Sequence, residues 1–219
     1  MSDIFREVDE EFKRDKVAEF FKKHSNLIIG ALLALVIGVG GYRTWQYFEM
    51  KKSAEAGQKF EAALALATEG KADEAKAAFD ALAKSAPAGY RALSLFRIAA
   101  EQAKTDPAAA VKAFDALAGD AALEQNLRDL AKVRAGLLLV DTAPLAELQQ
   151  RLEPFTAQGQ AWRLAARETL GLAAYKAGNM DKAAQYFELV LADPEATQTI
   201  RQRAEVMMSL VRGGAVQAK

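Results

Sequence analysis

The sequence predicts an all-α protein in which an N-terminal amphipathic helix and a single transmembrane helix precede a solenoid of helical hairpins. Three observations support this fold class. Only five prolines interrupt 219 residues, an apolar run crosses the N-terminal quarter, and a helix–turn–helix pattern recurs about every 35 residues. The predicted segments are an arm (residues 1–24), a membrane helix (25–48), a repeat domain (49–212) and a flexible tail (213–219).

The composition excludes several classes of function. The chain has no cysteine, which rules out disulfides and thiolate sites. Residues 49–219 carry 22 basic and 22 acidic side chains, so no basic surface for nucleic acid is expected. The single histidine, His24, lies at the edge of the apolar run, and no catalytic motif accompanies it. The sequence therefore predicts no catalytic residue, no metal site and no cofactor, and favours a binding protein over an enzyme.

The arm has the pattern of an amphipathic helix. Its apolar residues mostly recur three or four positions apart, as that structure requires. Four phenylalanines dominate this stripe and are the candidate contact residues of the arm: Phe5, Phe12, Phe20 and Phe21. Two interpretations remain open, because such a stripe can lie among lipid headgroups or dock on a partner protein.

The apolar run predicts a membrane helix. The 15 residues from Leu27 to Gly41 lack any polar side chain, and an aromatic group ending at Phe48 follows them. A helix over residues 27–48 is about 33 Å long, and a bilayer core is ~30 Å thick. The alternative is a cleaved signal peptide. It is disfavoured because the preceding arm is long and amphipathic rather than a short basic cap.

Charged residues on either side of the apolar run predict its orientation in the membrane, and small residues within the run suggest that it pairs with a second helix. The first 24 residues hold six Lys or Arg residues, and the comparable window after the run holds four. This excess predicts a cytoplasmic N-terminus, with the large domain in the periplasm of a bacterial inner membrane. Gly30, Ala34 and Gly38 share one helix face, where small residues allow a second helix to approach. Self-association there is a hypothesis, since glycine and alanine are also common in membrane helices.

Residues 170–194 carry one nearly complete repeat unit. Gly171 allows close helix packing, Gly178 makes the turn, and Ala183, Phe187 and Val190 form the inward stripe of the second helix. The same stripe recurs in three earlier copies: Ala75, Phe79 and Leu82; Ala110, Phe114 and Leu117; and the weaker Leu148, Leu152 and Phe155. The copies start at positions 75, 110, 148 and 183, which are 35, 38 and 35 residues apart. Tetratricopeptide units repeat about every 34 residues, so this spacing predicts four such hairpins and a capping helix near residues 197–211.

The first helices of such a stack line a concave face that can bind protein. Helical spacing predicts outward side chains there, at Ser94, Arg97, Glu101 and Lys104 in the second unit and at Arg167 and Ala174 in the fourth. Their mixed charges suit an extended peptide or a partner helix. The alternative is an ordinary solvated helix face.

Three segments carry a resemblance to a known family. IFREVDEEFKRDK, YRTWQYFEMKKSAEAGQKFEAAL and AWRLAARETLGLAAYKAGNMDKA resemble the YfgM-like proteins of bacterial inner membranes, in particular their alphaproteobacterial branch. The resemblance covers nearly the full length. It implies an N-terminal anchor, a periplasmic repeat domain, and association with the SecYEG translocon and a PpiD-type periplasmic chaperone.

Two functional hypotheses follow from these observations. The first is a scaffold, an ancillary translocon subunit that links the translocon to chaperones for newly exported proteins. The alternative is a coordinator of cell-envelope assembly or division that acts as a tetratricopeptide adaptor. An enzyme is the least favoured class.

Overall fold

The computed structural model describes the backbone of residues 2–217. It describes the side chains of residues 22–213, apart from those of residues 28, 31 and 32. The chain divides into two compact units, residues 1–55 and residues 56–219, and each is described by itself.

The first unit is helical. Helix α1 spans Ser2–Thr68, so the predicted arm and membrane segment are helical, as is the first helix of the repeat domain. Large apolar side chains of residues 27–50 are exposed, among them Trp45 at 61%. Within the described residues, no helix is both long and apolar enough to cross a bilayer. The membrane helix therefore stays a prediction.

The second unit contains four helical hairpins and a final helix. After α1 come α2 (Ala72–Ser85), α3 (Ala88–Gln102), α4 (Pro107–Gly119), α5 (Gln125–Leu139), α6 (Leu145–Leu152), α7 (Arg163–Lys176), α8 (Met180–Leu191) and α9 (Gln198–Gln217). A 3₁₀ turn, Glu153–Phe155, extends α6. The four predicted stripes fall on α2, α4, α6 and α8, so the predicted all-helical repeat fold is confirmed. Helix α9 continues to Gln217, into the segment that we expected to be flexible.

Local sequence sets where the second helices begin. The Asp106 carboxylate accepts a hydrogen bond from the Ala109 amide at 2.9 Å, and the Asn179 side chain accepts one from the Lys182 amide at 3.1 Å. Each bond satisfies an amide that the helix itself leaves free. Gly178, with φ of 72°, makes the tight turn before α8 in a conformation that glycine adopts without steric cost.

The core follows the predicted stripes. Three apolar clusters lie in chain order, around Phe79, around Phe114 and around Phe187, and the last extends to Val211 in α9. All twelve predicted stripe residues are buried: Ala75, Phe79, Leu82, Ala110, Phe114, Leu117, Leu148, Leu152, Phe155, Ala183, Phe187 and Val190. Each cluster combines side chains from neighbouring hairpins, so stacking buries apolar surface that no single hairpin could bury.

Two hairpins bring their helices together at a glycine. A Cβ atom built on Gly171 would lie 2.8 Å from Phe187 Cζ, and one built on Gly136 would lie 2.8 Å from Leu152 Cδ1. Both distances are shorter than a carbon–carbon contact allows. The missing side chain therefore sets how closely α7 packs on α8 and α5 on α6.

We predict that Gly171→Ala lowers the free energy of unfolding by about 1–3 kcal/mol, because the new methyl group overpacks against the Phe187 ring. Urea denaturation followed by circular dichroism measures this change. Gly119→Ala is the matched control, since a Cβ atom there meets nothing within 4 Å. A Gly171 variant as stable as the Gly119 variant would contradict the packing argument.

Candidate protein-interaction groove

A groove lies between the first and second hairpins, and we call it the first-junction groove. Its larger cavity has a volume of about 700 Å³. Phe79, Ala75 and Ile98 form an apolar floor, and the turns after α1 and α3 form the ends. An adjoining cavity of about 460 Å³ shares Ala67 and Phe79 with it. The groove is therefore apolar at its base and open at its rim.

Three of the six predicted groove residues meet in this place. Arg97, Glu101 and Lys104 all line the smaller cavity, and Glu101 and Lys104 also line the larger one. Arg97 and Glu101 share one face of α3 and Lys104 lies in the turn after it, and all three border the end of α1. Their role in binding stays a prediction.

Charged side chains surround the rim of the groove. Lys104 Nζ lies 2.5 Å from Glu101 Oε2, and Lys76 Nζ lies 3.0 Å from Asp80 Oδ2. Asp73 and Asp106 also line the groove. Neither forms an ion pair within the described part of the chain, although Asp106 caps α4. Both rim lysines thus have a carboxylate partner, while two rim carboxylates have no cation.

The first junction differs from the later ones in its polar contacts. Residues one repeat apart, 35 or 36 positions, bond across the later junctions. Arg151 donates to Asp115, Trp162 Nε1 to the backbone carbonyl of Asn126, Lys176 to Asp141, and Arg203 to Glu168. Between residues 56–85 and 88–119, all of them described, no hydrogen bond or ion pair joins the first two hairpins. The groove occupies the junction that lacks such a bond.

The other three predicted groove residues are buried. Ser94 and Ala174 are both 0% exposed, and Arg167 is 5% exposed. The expectation that they face outward is wrong, because first helices pack on more than one side. Helix α7 contacts α5, α6 and α8, and α3 contacts α2 and α4. The Ser94 hydroxyl has no hydrogen-bond partner in the described structure.

Arg167 belongs to a buried charged cluster. Asp193 Oδ2 accepts from Arg163 Nε at 2.6 Å and from a terminal nitrogen of Arg167 at 2.8 Å. Arg167 also donates to the carbonyls of Thr156 and Leu189, at 2.8 and 3.0 Å. The cluster thereby ties α7 to the loop before it and to the end of α8.

This cluster changes the acidity of its members. Hydrogen bonding from Arg163 lowers the pKa of Asp193 from 3.8 to about 2, against the opposing effect of burial. The same contact raises the pKa of Arg163. Sequence analysis missed Arg163 and the buried role of Asp193, because the partners are 30 residues apart and no local pattern links them.

The comparison with known proteins gives one result. Residues 18–210 match the family described as tetratricopeptide repeat-like domain. The chain belongs to this family. No curated protein and no solved structure matches the chain. Domains of the tetratricopeptide-like class are typically non-catalytic scaffolds that bind proteins.

The remaining predicted residues lie outside the tetratricopeptide-like repeats. Gly30, Ala34 and Gly38 are exposed, and a Cβ atom on either glycine meets nothing within 4 Å. The side chains of the arm phenylalanines, Phe5, Phe12, Phe20 and Phe21, lie outside the described residues. The pairing and docking roles of both sets stay predictions.

The charged cluster predicts an acid-sensitive contribution to stability. The pKa of Asp193 is lower in the folded chain than in the unfolded one, so its contribution is present above pH 4 and is lost as the pH falls from about 4 to 2. Asp193→Asn should lower the free energy of unfolding by roughly 3 kcal/mol at pH 7, since it leaves the buried Arg167 without a counterion and Arg163 with only the exposed Glu195.

Urea unfolding of both proteins between pH 7 and pH 2.5 tests this expectation. The difference between wild type and Asp193→Asn should shrink below pH 4. The exposed Asp181→Asn serves as the control and should change stability by less than about 0.5 kcal/mol. A difference that is constant across the pH range would contradict the assigned pKa shift.

Proposed function

We propose that this chain is a membrane-anchored scaffold that holds a segment of a partner protein in its first-junction groove. The observation that carries the proposal is the groove itself: a cavity of about 700 Å³ over the Phe79 and Ile98 side chains, in a domain of a protein-binding family. Clefts of this size with an apolar base and a few polar groups suit a ligand side chain.

The anchor is the second part of the proposal. Apolar and aromatic side chains between residues 27 and 50 are more than half exposed, including Ile37 at 72% and Trp45 at 61%. Exposed apolar area of this extent is covered by lipid or by protein in other molecules. We propose lipid, because the aromatic residues follow the apolar run and can occupy a bilayer interface.

The identity of the partner is the third part. The resemblance to YfgM-like proteins supports an ancillary role at the SecYEG translocon. The repeat domain would lie in the periplasm of a bacterial inner membrane and would link the translocon to a PpiD-type chaperone. Tethering to one membrane raises the effective concentration of partners, so weak groove contacts suffice.

We predict that Ala67→Trp abolishes partner capture, because the indole projects into the space that Ala67 borders and blocks a ligand side chain from entering either cavity. The full chain is cross-linked in its native membrane, purified in mild detergent and examined by mass spectrometry. Ala62→Trp is the matched control, since Ala62 lies exposed on the same helix and lines neither cavity.

SecY, SecE, SecG or a periplasmic chaperone should be enriched with the wild type and the Ala62 variant and lost with the Ala67 variant. Equal capture by both variants would contradict binding in the groove. Enrichment of division or outer-membrane assembly factors alone would move the function to envelope coordination.

The anchor makes a separate prediction. The full chain should stay in the membrane pellet after extraction at pH 11, which removes peripheral proteins, and a chain without residues 1–48 should be released. Release of the full chain by alkaline extraction would show that protein rather than lipid covers the apolar side chains.

A further inference from the structure

We propose that the first-junction groove selects partner segments in which an apolar side chain lies next to a lysine or arginine. This inference rests on the proposed function, because it names the chemistry of the segment that the groove holds. Three features support it: the apolar floor of the groove, the charges of its rim, and the absence of a polar bond between the first two hairpins in the described structure.

The floor sets the apolar part of the ligand. Ile98 and Ala67 are half-buried and Ala72 is exposed along the larger cavity, and the buried Phe79 and Ala75 side chains lie beneath them. None of these side chains offers a hydrogen bond. An inserted side chain therefore gains free energy by leaving water, at about 25 cal/mol per Å² of buried apolar surface.

The rim sets the charge of the ligand. Asp73 and Asp106 lie at the ends of two turns that border the larger cavity. The two rim lysines each pair with a carboxylate, Lys104 with Glu101 and Lys76 with Asp80. A cation at the rim therefore meets two carboxylates without a counterion, whereas an anion would meet lysines that are already paired.

Arg97 is a cation that lies away from Asp73 and Asp106. Arg97 lies within α3 and lines only the smaller cavity, whereas Lys104 lies in the turn after α3 and lines both. Arg97 forms no ion pair with a described residue. The groove is consequently polarised, with carboxylates beside the turns and a guanidinium at the opposite end.

The carboxylates of Asp73 and Asp106 are available because no polar bond joins the first two hairpins in the described structure. Asp115 and Asp141 lie near the corresponding later junctions, and each pairs with a basic side chain one repeat further on. At the first junction, the two bases that line the groove, Lys76 and Lys104, pair within their own hairpins with Asp80 and Glu101. A basic residue of the partner would supply the cation that Arg151 and Lys176 supply at the later junctions.

The experiment measures binding of the full chain, in detergent, to three sets of fluorescent 12-residue peptides. All three sets carry the same leucine, flanked by lysine and arginine, by aspartate and glutamate, or by serine. We expect the basic set to bind most tightly, with an affinity that falls as salt rises. Asp73→Asn combined with Asp106→Asn should weaken this binding roughly fivefold and leave the serine set unchanged.

The variants are chosen to preserve the fold. Asparagine caps a helix as well as aspartate does, so the Asp106 substitution keeps the start of α4. Asp181→Asn is the matched control, because Asp181 occupies the same second position in α8 as Asp73 does in α2. It should leave binding of every set unchanged.

Each outcome bears on the proposal. Equal or tighter binding of the acidic set, or no effect of the Asp73 and Asp106 substitutions, would overturn the charge preference while the groove function stands. Binding of no set would overturn this inference. The proposed function fails separately, when native partners are captured equally by the Ala67→Trp and Ala62→Trp variants.

Discussion

The close approach of two helices at a residue without a side chain is the contact on which the third and fourth hairpins depend. Gly171 admits the ring of Phe187, and Gly136 admits the branched end of Leu152. A large side chain on the second helix can be fully buried only if the first helix leaves room for it. The same contact fixes the distance between paired helices, and so the spacing at which each hairpin meets the next.

Polar bonds then fix how neighbouring hairpins stack. Their partners lie 35 or 36 residues apart because each bond joins equivalent parts of successive repeats. Exposed pairs of this kind contribute little to stability, but they close the surface between repeats. The first junction has no such bond among the described residues, and the cavity over Phe79 lies there. The proposed binding site therefore lies at the junction where no polar bond joins the described repeats.

The repeat architecture was predictable from local sequence, whereas the direction of polar side chains on the first helices was not. Apolar stripes such as Ala183 and Phe187 face one partner helix, so the helical spacing of apolar residues is enough to identify the buried side of the second helices. First helices contact helices on several sides, and Ser94 and Ala174 are buried for that reason. Arg167 is buried because it pairs with Asp193, which is 26 residues away in the sequence. The spacing of apolar residues within one helix cannot predict such a pair. Arg97, Glu101 and Lys104 line the cavities of the first junction, where no polar bond joins the two described hairpins, and their role in binding stays a prediction.

The energies of the groove agree with a scaffold that acts near its partners rather than one that captures them from dilute solution. Rim charges that face water contribute less than about 1 kcal/mol each, and a single buried side chain adds roughly 1.5–3 kcal/mol. Together these terms offset only part of the cost of ordering a partner segment. A site of this strength is occupied when the partner is held close by, and one membrane shared by both proteins would provide that proximity. Weak, reversible contact also suits a partner that must be released once it has folded or moved on, which is the behaviour expected of a scaffold for newly exported chains.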